Sequence, residues 1–236
     1  MKINKIFDYQ SLNRVTSDTG FRYYMDPQGH KCISVTTILA ATASQVSLDK
    51  WRERVGITEA NRIRDEATGL GTLMHTHLEC FVENVPRPTG TNHIRQLAKN
   101  MSDQIISRGL IHVDEIWGIE QNLYYPQLWA GTADLCGVHN GSSAIMDYKT
   151  TRVMKSRQMI QDYALQLAAY ALSHNEVYNT NINKGIIFMV SRDLKFEEFV
   201  FEGKEFQQAK DQWIERVEVF LKMQQLQTEN LTPVLV

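Results

Sequence analysis

Two aspartates and a lysine carry the most chemistry in this chain: Asp134 closes the string Gly131-Thr-Ala-Asp134, and Asp147 and Lys149 belong to Asp147-Tyr-Lys149-Thr150, with twelve residues between the two aspartates. Two carboxylates and one ammonium at a single point make a hard-oxygen site for a divalent cation, with an amine beside it to meet developing negative charge. Burying an isolated carboxylate beside Ile145 and Met146 would cost on the order of several kcal/mol without a compensating cation. A bare D-x-K is an ordinary surface ion pair; the whole string is a more specific combination.

Other polar residues are spaced to join them. Gly71, His75 and Glu79 fall four apart, which stacks both polar side chains on one helical face while the glycine admits a close neighbour. Alone, His75 would be a histidine at a core edge and Glu79 a solvated acid. His77 lies about two-thirds of a helical turn from His75, so the H-x-H pair does not converge and His77 reads as structural. Glu120 is either a further acidic neighbour or an outward-facing strand residue. Gln166 and Tyr170 share a face at i, i+4, and a buried amide must be satisfied, which turns Gln166 toward the polar centre. Lys149, Arg152, Lys155 and Arg157 stand in a stretch without an acid, a place where a phosphate backbone could lie, although short basic runs are commonly solvated loops.

These residues need strands and helices to hold them. Leu128–Val138 and the run through Ala144-Ile-Met to Lys149 read as two strands joined at His139-Asn140-Gly141, an antiparallel hairpin. A period of two puts Asp134 on the face of Ala130, Thr132 and Cys136, and lets Asp147 and Lys149 share a face while Tyr148 points away. Ile116–Tyr125 reads as a preceding strand, with a turn at Pro126. Leu48 to about Asn84 is helical, with Trp51, Leu70, Met74 and Leu78 on its apolar face and Gly56 and Gly69-Leu-Gly71 dividing it into segments. Asn92–Arg108 is a helix ending at Gly109, and Met159–Ser173 is an apolar helix. Lys184–Ser191 and Leu194–Phe201 are strands about Arg192-Asp193. Lys204 to about Gln225 is an amphipathic helix with Phe206, Ala209, Trp213, Val217 and Phe220 on its stripe. Near the start, Phe21–Tyr24 and Lys31–Ser34 flank the turn Asp26-Pro-Gln-Gly29 and predict a β-hairpin, followed by a helix from Ser34.

With 236 residues, 43% of them apolar, the chain can bury a sizeable core. One domain is expected: an N-terminal hairpin region (1–47), a helical segment (48–110), a core (111–203) and a C-terminal helix (204–236). A net charge of −2 neither announces nor excludes a polyanion partner. The chain has no run of about 20 apolar residues and no signal-peptide centre, so a soluble, cytoplasmic protein without a membrane partner is expected. Cys32, Cys80 and Cys136 are too far apart for a C-x-x-C zinc site and argue against a disulfide framework.

The ordered set Gly71-x-x-x-His75-x-x-x-Glu79, Gly131-Thr-Ala-Asp134, Asp147-Tyr-Lys149-Thr150 and Gln166-x-x-x-Tyr170 resembles the RecB-type exonuclease branch of the PD-(D/E)XK nuclease superfamily. The resemblance covers roughly residues 20 to 202 and looks most like the mitochondrial genome maintenance exonuclease group and its bacteriophage relatives. It implies an α/β (α+β) fold with a restriction-endonuclease-like core, a mixed β-sheet flanked by helices, and hydrolysis of DNA phosphodiesters with Mg²⁺ or Mn²⁺. It further implies that Asp134, Asp147 and the carbonyl of Tyr148 hold the metal and that His75 completes or adds a metal position. Lys149 would orient or activate the attacking water, with Gln166 and Tyr170 holding Lys149 and the DNA strand, and Glu79 in support. Arg152, Lys155, Arg157 and Tyr170 would meet DNA.

Several relatives carry four cysteines around the core; this chain has no matching set, so no iron–sulfur cluster is expected, and no P-loop is present for a helicase. The expectation is a metal-dependent DNA exonuclease on single-stranded ends or flaps in replication, recombination or repair, with proteins of those processes as partners. The alternatives are a structure-specific or restriction-type endonuclease on the same core, and a non-catalytic DNA-binding protein on a degenerate one. A zinc hydrolase using His75 and His77 lacks the helical H-x-x-x-H it would need.

Overall fold

The computed structural model describes residues 1–17, 20–44 and 52–231. Its strands are β1 (Lys2–Ile3), β2 (Asn13–Thr16), β3 (Arg22–Met25), β4 (Lys31–Ser34), β5 (Val113–Tyr125), β6 (Trp129–His139), β7 (Ser142–Thr151), β8 (Lys184–Ser191) and β9 (Phe196–Glu202). The helices are α1 (Val35–Thr42), α2 (Ile57–Val82), α3 (His93–Arg108), α4 (Gln161–Tyr178) and α5 (Gly203–Leu231). All nine strands join one sheet, along the path β2-β3-β4-β6-β7-β8-β9, with β5 on β6 and β1 on β5. The sheet is mixed: β1–β5, β4–β6 and β7–β8 are parallel and the other pairs antiparallel. A hydrophobic cluster with α1, α4 and α5 covers one face, and a second with α2 and α3 covers the other. The fold is therefore α+β, a mixed sheet flanked by helices.

Local chemistry explains the elements that matter for position. Asn140 and Gly141 take φ of 46° and 74°, the two left-handed positions of a tight hairpin turn, which fits the right-handed twist of β6 and β7. Asn92 caps α3, its side chain accepting from the Arg95 N–H at 2.8 Å, and Gly109 ends that helix. The glycines at 69 and 71 do not divide the long helix. α2 runs through both because burial of Leu70, Met74 and Leu78 outweighs a propensity cost of about 1 kcal/mol per glycine. A Cβ at Gly71 would stand 3.6 Å from Thr150 Oγ1, ordinary contact, so the approach to β7 is allowed by glycine rather than dependent on it. The segment holding Leu48 and Trp51 lies outside the described residues.

Other boundaries shift. The apolar helix begins only at Gln161, after a single 3-10 turn at Arg157–Ile160, and continues to Tyr178. β1 and β2 had no period to betray them; they are short, mostly exposed and recruited by neighbours. The expected stripe Phe206, Ala209, Trp213, Val217 and Phe220 of α5 is buried. At Gly137 the β5 backbone comes so close that a Cβ would collide with the Glu115 carbonyl. Gly137→Ala is expected to cost about 3 kcal/mol, read as a lowered urea midpoint with unchanged slope.

The N-terminal segment is held against α4 by rings. Phe7 and Tyr9 pack on His174 and Tyr178, and Trp117 closes the group. His174 is fully buried; its Nε2 lies 2.9 Å from Tyr9 Oη and its Nδ1 2.8 Å from Thr180 Oγ1. Burial lowers its pKa to about 4, so between that value and the usual 6.5 the unfolded chain holds a proton that the folded one refuses. Stability therefore falls as pH drops through this window, by about 2 kcal/mol at roughly pH 5. His174→Gln should flatten that slope in urea denaturation repeated across the acidic range.

Candidate active site

The site begins as a gap in the sheet. One edge of β6 pairs with β5 along its length, but the other is shared: β4 takes Trp129 and Ala130, and β7 takes Leu135 to His139. Between them Gly131-Thr-Ala-Asp134 borders a fork with no ladder partner on that side. The Asp134 carboxylate fills the fork, Oδ2 accepting the Tyr148 N–H at 2.7 Å in place of a strand carbonyl. The strict alternation expected here slips at this residue: Ala133 and Cys136 pack in the cluster on the α4 side, whereas Leu135 joins that of α2 and α3.

Register aligns three acids across three strands. Ile119 and Gln121 pair with Leu135 and Ala133, leaving Glu120 opposite Asp134. One step beyond the last β6–β7 pair, Leu135 with Met146, Asp147 stands on the other side of Asp134. Glu120 holds φ of 50°, a left-handed conformation that costs a non-glycine residue on the order of 1 kcal/mol and that aims its side chain out of strand alternation.

From α2, His75 Nε2 donates to the Tyr148 carbonyl at 3.0 Å. Its Nδ1 lies 3.6 Å from Asp134 Oδ2 and 3.7 Å from Glu120 Oε1. Burial alone would lower the His75 pKa, but the Asp134 charge, the Glu120 hydrogen bond and Asp147 together raise it to about 9, so the ring is cationic at neutral pH. Asp134 is pushed up to about 7 by burial and by the neighbouring Asp147 charge, with His75 and Lys149 opposing. Burial and Glu120 raise Glu79, one helical turn beyond His75.

The α4 side holds the amine. Lys149 Nζ is 2.6 Å from Asp147 Oδ2 and donates to Gln166 Oε1 at 3.2 Å. Gln166 turns its amide nitrogen to Asp147 Oδ1 at 3.1 Å and to Tyr170 Oη at 3.3 Å, so one amide fixes both carboxylate and ammonium. Burial opposes charge on Lys149, yet Asp147 and Asp134 hold its pKa above the usual lysine value. Tyr170 lies over Gly131, where a Cβ would come within 2.7 Å of its ring and hydroxyl; only glycine leaves the tyrosine this place.

The donor set fits a hard divalent cation. Single ligand atoms of His75, Glu120 and Asp134 lie within 4.8 Å of one another, and the buried Asp147 Oδ2 makes no well-formed hydrogen bond, Lys149 being its ionic partner. Mostly oxygen donors with one imidazole suit magnesium or manganese better than a zinc cage.

His75, Glu79, Asp134, Asp147, Tyr148, Lys149, Gln166 and Tyr170 thus converge. The basic stretch divides. Arg152 and Lys155 border a cavity of about 410 Å³, but Arg157 is engaged elsewhere. Its guanidinium forms a two-pronged pair with Glu205 at 2.7 and 2.6 Å and lies over the Phe201 ring, fastening the 3-10 turn to α5 and β9. Sequence spacing also missed Tyr163, whose ring centroid is 5.0 Å from Lys149 Nζ and 4.9 Å from Lys155 Nζ. Cys32, Cys80 and Cys136 are unpaired thiols. Among the described residues no helix is long and apolar enough to cross a membrane.

No protein-family model matches the sequence, and no curated protein matches it. Among solved structures, a "Putative exonuclease" from Eubacterium rectale superposes with a TM-score of 0.50 at 10% identity, covering 67% of this chain and 65% of that one. The match thus spans slightly less than two thirds of that protein. The protein SSO0001 matches with a TM-score of 0.31 at 15% identity over 64% of this chain and 85% of its own, and VC1899 from Vibrio cholerae with 0.22 at 12% over 87% and 70%. The first likeness is one of fold alone, in which this chain contributes a mixed sheet with flanking helices.

Proposed function

We propose that this chain is a divalent-metal-dependent nuclease hydrolysing DNA phosphodiester bonds, and that it acts as an exonuclease on single-stranded ends or flaps. The observation that carries the reading is the fork itself, with Asp134 and Asp147 meeting beside Lys149 while Glu120 and His75 close the other side. Asp134, Asp147, Glu120 and the Tyr148 carbonyl would hold Mg²⁺ or Mn²⁺, with His75 as an added position once it loses its proton. Such an ion supplies Lewis acidity toward a phosphoryl oxygen and a more acidic bound water.

The chain's own groups do the rest. A lysine whose pKa is held up by two carboxylates does not take a proton at neutral pH, so Lys149 serves as a fixed positive charge beside the reacting phosphate and the attacking water. Gln166 accepts from Lys149 as a second partner beside Asp147, and Tyr170 accepts from Gln166. End preference, single-strand preference and a place in replication, recombination or repair are supported by the motif resemblance.

Digestion of 5′- and 3′-labelled single-stranded, duplex and circular DNA with Mg²⁺, Mn²⁺ or EDTA tests the reading. Linear single strands should shorten from an end, circles should resist, and EDTA should stop the shortening. Circles cut as fast as linear strands would replace the exonuclease with an endonuclease on the same centre. DNA bound but never cut, in any metal, would favour a non-catalytic DNA-binding protein.

A further inference from the structure

Beside the fork, α2 and the turn after β8 enclose the cavity of about 410 Å³, bordered by Arg62, Glu66, Thr150, Arg152, Lys155 and Arg192. Four cations face one carboxylate on this wall. Glu66 stands between two of them, Oε2 taking Arg62 Nη1 at 3.1 Å and Oε1 taking Arg192 Nη1 at 2.6 Å. One guanidinium comes from the same helix as Glu66 and the other from a turn 126 positions after Glu66, so the carboxylate fixes their spacing across two elements. Glu59, on the outer side of Arg62, takes that guanidinium's Nε and Nη2 at 2.8 and 2.7 Å; even counting it, the cluster keeps an excess of positive charge.

The cavity connects with the reacting centre at two points. Thr150, which borders it, follows Lys149 directly in β7. Lys155 Nζ, also on its wall, and Lys149 Nζ both sit against the Tyr163 ring, and Lys155 also donates to the Tyr163 hydroxyl at 2.8 Å. An anion held here would therefore lie a short step from the amine at the fork. Guanidiniums pre-spaced by a carboxylate suit the tetrahedral oxygens of a phosphate, which accepts from several N–H groups at once.

Building on the nuclease reading, we propose that this cavity is a second phosphate site, taking a phosphate group of the substrate strand that is not the one cleaved, with Arg62 and Arg192 as its clamp and Arg152 and Lys155 completing its wall. The site sets which phosphate reaches Lys149. The phosphate is an internal diester or a terminal monoester; both offer the same oxygens to the guanidiniums.

The test uses the full-length protein in EDTA, where binding is read without cleavage. The Kd for a single-stranded oligonucleotide is measured against salt for the parent, for Arg62→Gln/Arg192→Gln, and for Glu66→Gln, which breaks both Glu66 ion pairs, leaves that of Arg62 with Glu59, and keeps both cations. The double variant should bind about tenfold more weakly, with the slope of log Kd against log salt reduced by roughly one. Glu66→Gln should bind at least as tightly as the parent. Strands bearing a 5′-phosphate, a 3′-phosphate or neither, together with a circle, separate the sources: a loss on every strand indicates an internal phosphate, and a loss confined to one phosphorylated end a terminal one.

The proposal is overturned if the double variant binds within about twofold of the parent on every strand while the parent cuts DNA, a result that leaves the nuclease reading standing. It is equally overturned if Glu66→Gln loses as much binding as the double variant, because the ion-pair framework alone would then account for the loss. A parent that neither binds nor cuts DNA removes the nuclease reading and this site with it.

Discussion

Lys149→Ala is expected to slow single-turnover cleavage roughly a thousandfold while the Kd for single-stranded DNA stays within about threefold. The asymmetry follows from where the ammonium sits. It lies at the bottom of the fork, four-fifths buried, against Asp147 and Gln166, and its charge matters most when negative charge grows on the phosphoryl oxygens. On the nuclease reading, ground-state attraction for the strand would come instead from exposed cations such as Arg152. The variant has a second signature. Removing the ammonium leaves Asp147 Oδ2 buried without its ionic partner, so in EDTA the variant should melt below the parent, and Mn²⁺ should recover more of the difference than it adds to the parent. A variant that cut within tenfold of the parent would take Lys149 out of the chemistry.

What could be read from the sequence, and what could not, divides along a physical line. Gly131, Asp134, Asp147 and Lys149 were legible because strand spacing and a two-residue turn are local properties, and Asn140-Gly141 permits little else. His75 and Glu79 were legible because i, i+4 on a helix is fixed by 3.6 residues per turn. The side Glu120 takes is not legible, because it depends on a left-handed backbone at that residue and strand alternation carries no trace of it. The fork was invisible for a related reason: it exists because β4, from the N-terminal hairpin, and β7 divide one edge of β6 between them, a contact between segments about 100 residues apart. Arg157 shows the converse error. Its place in a basic run suggested a phosphate, but Glu205, 48 positions later, claims the guanidinium, and no window of local sequence contains both. The glycines of α2 misled because propensity is a weak preference that buried Leu70 and Met74 overcome.

Asp134→Asn should make the metal-free protein more stable and the protein inactive, with the gain growing as pH climbs from about 4 to about 7. Burial and the Asp147 charge raise the Asp134 pKa to about 7, and carboxylate neighbours raise that of His75 to about 9 against the pull of burial. Both groups hold protons in the folded state that they release when unfolded. By linkage, the stability of the metal-free protein falls as pH climbs from about 4 toward 9, the reverse of the acid loss expected from His174.

An asparagine keeps the acceptor for the Tyr148 N–H while mimicking the protonated aspartate. At roughly pH 4, near the unfolded pKa, it should change little. At roughly pH 8 it should add on the order of 1–2 kcal/mol, a rise of about 3–6 °C in Tm. Mn²⁺ should raise the parent's Tm increasingly with pH, because loading the site expels the same protons, and should leave the variant's Tm unmoved. Thermal melts at those two pH values, with EDTA or Mn²⁺, separate the contributions. An unstabilised variant at the higher pH would mean that Asp134 is not strained by its neighbours. A variant still shifted by Mn²⁺ would mean that the cation sits on other residues. A buried carboxylate that weakens its own fold unless a cation is bound is what a site shaped for charge rather than for stability should show.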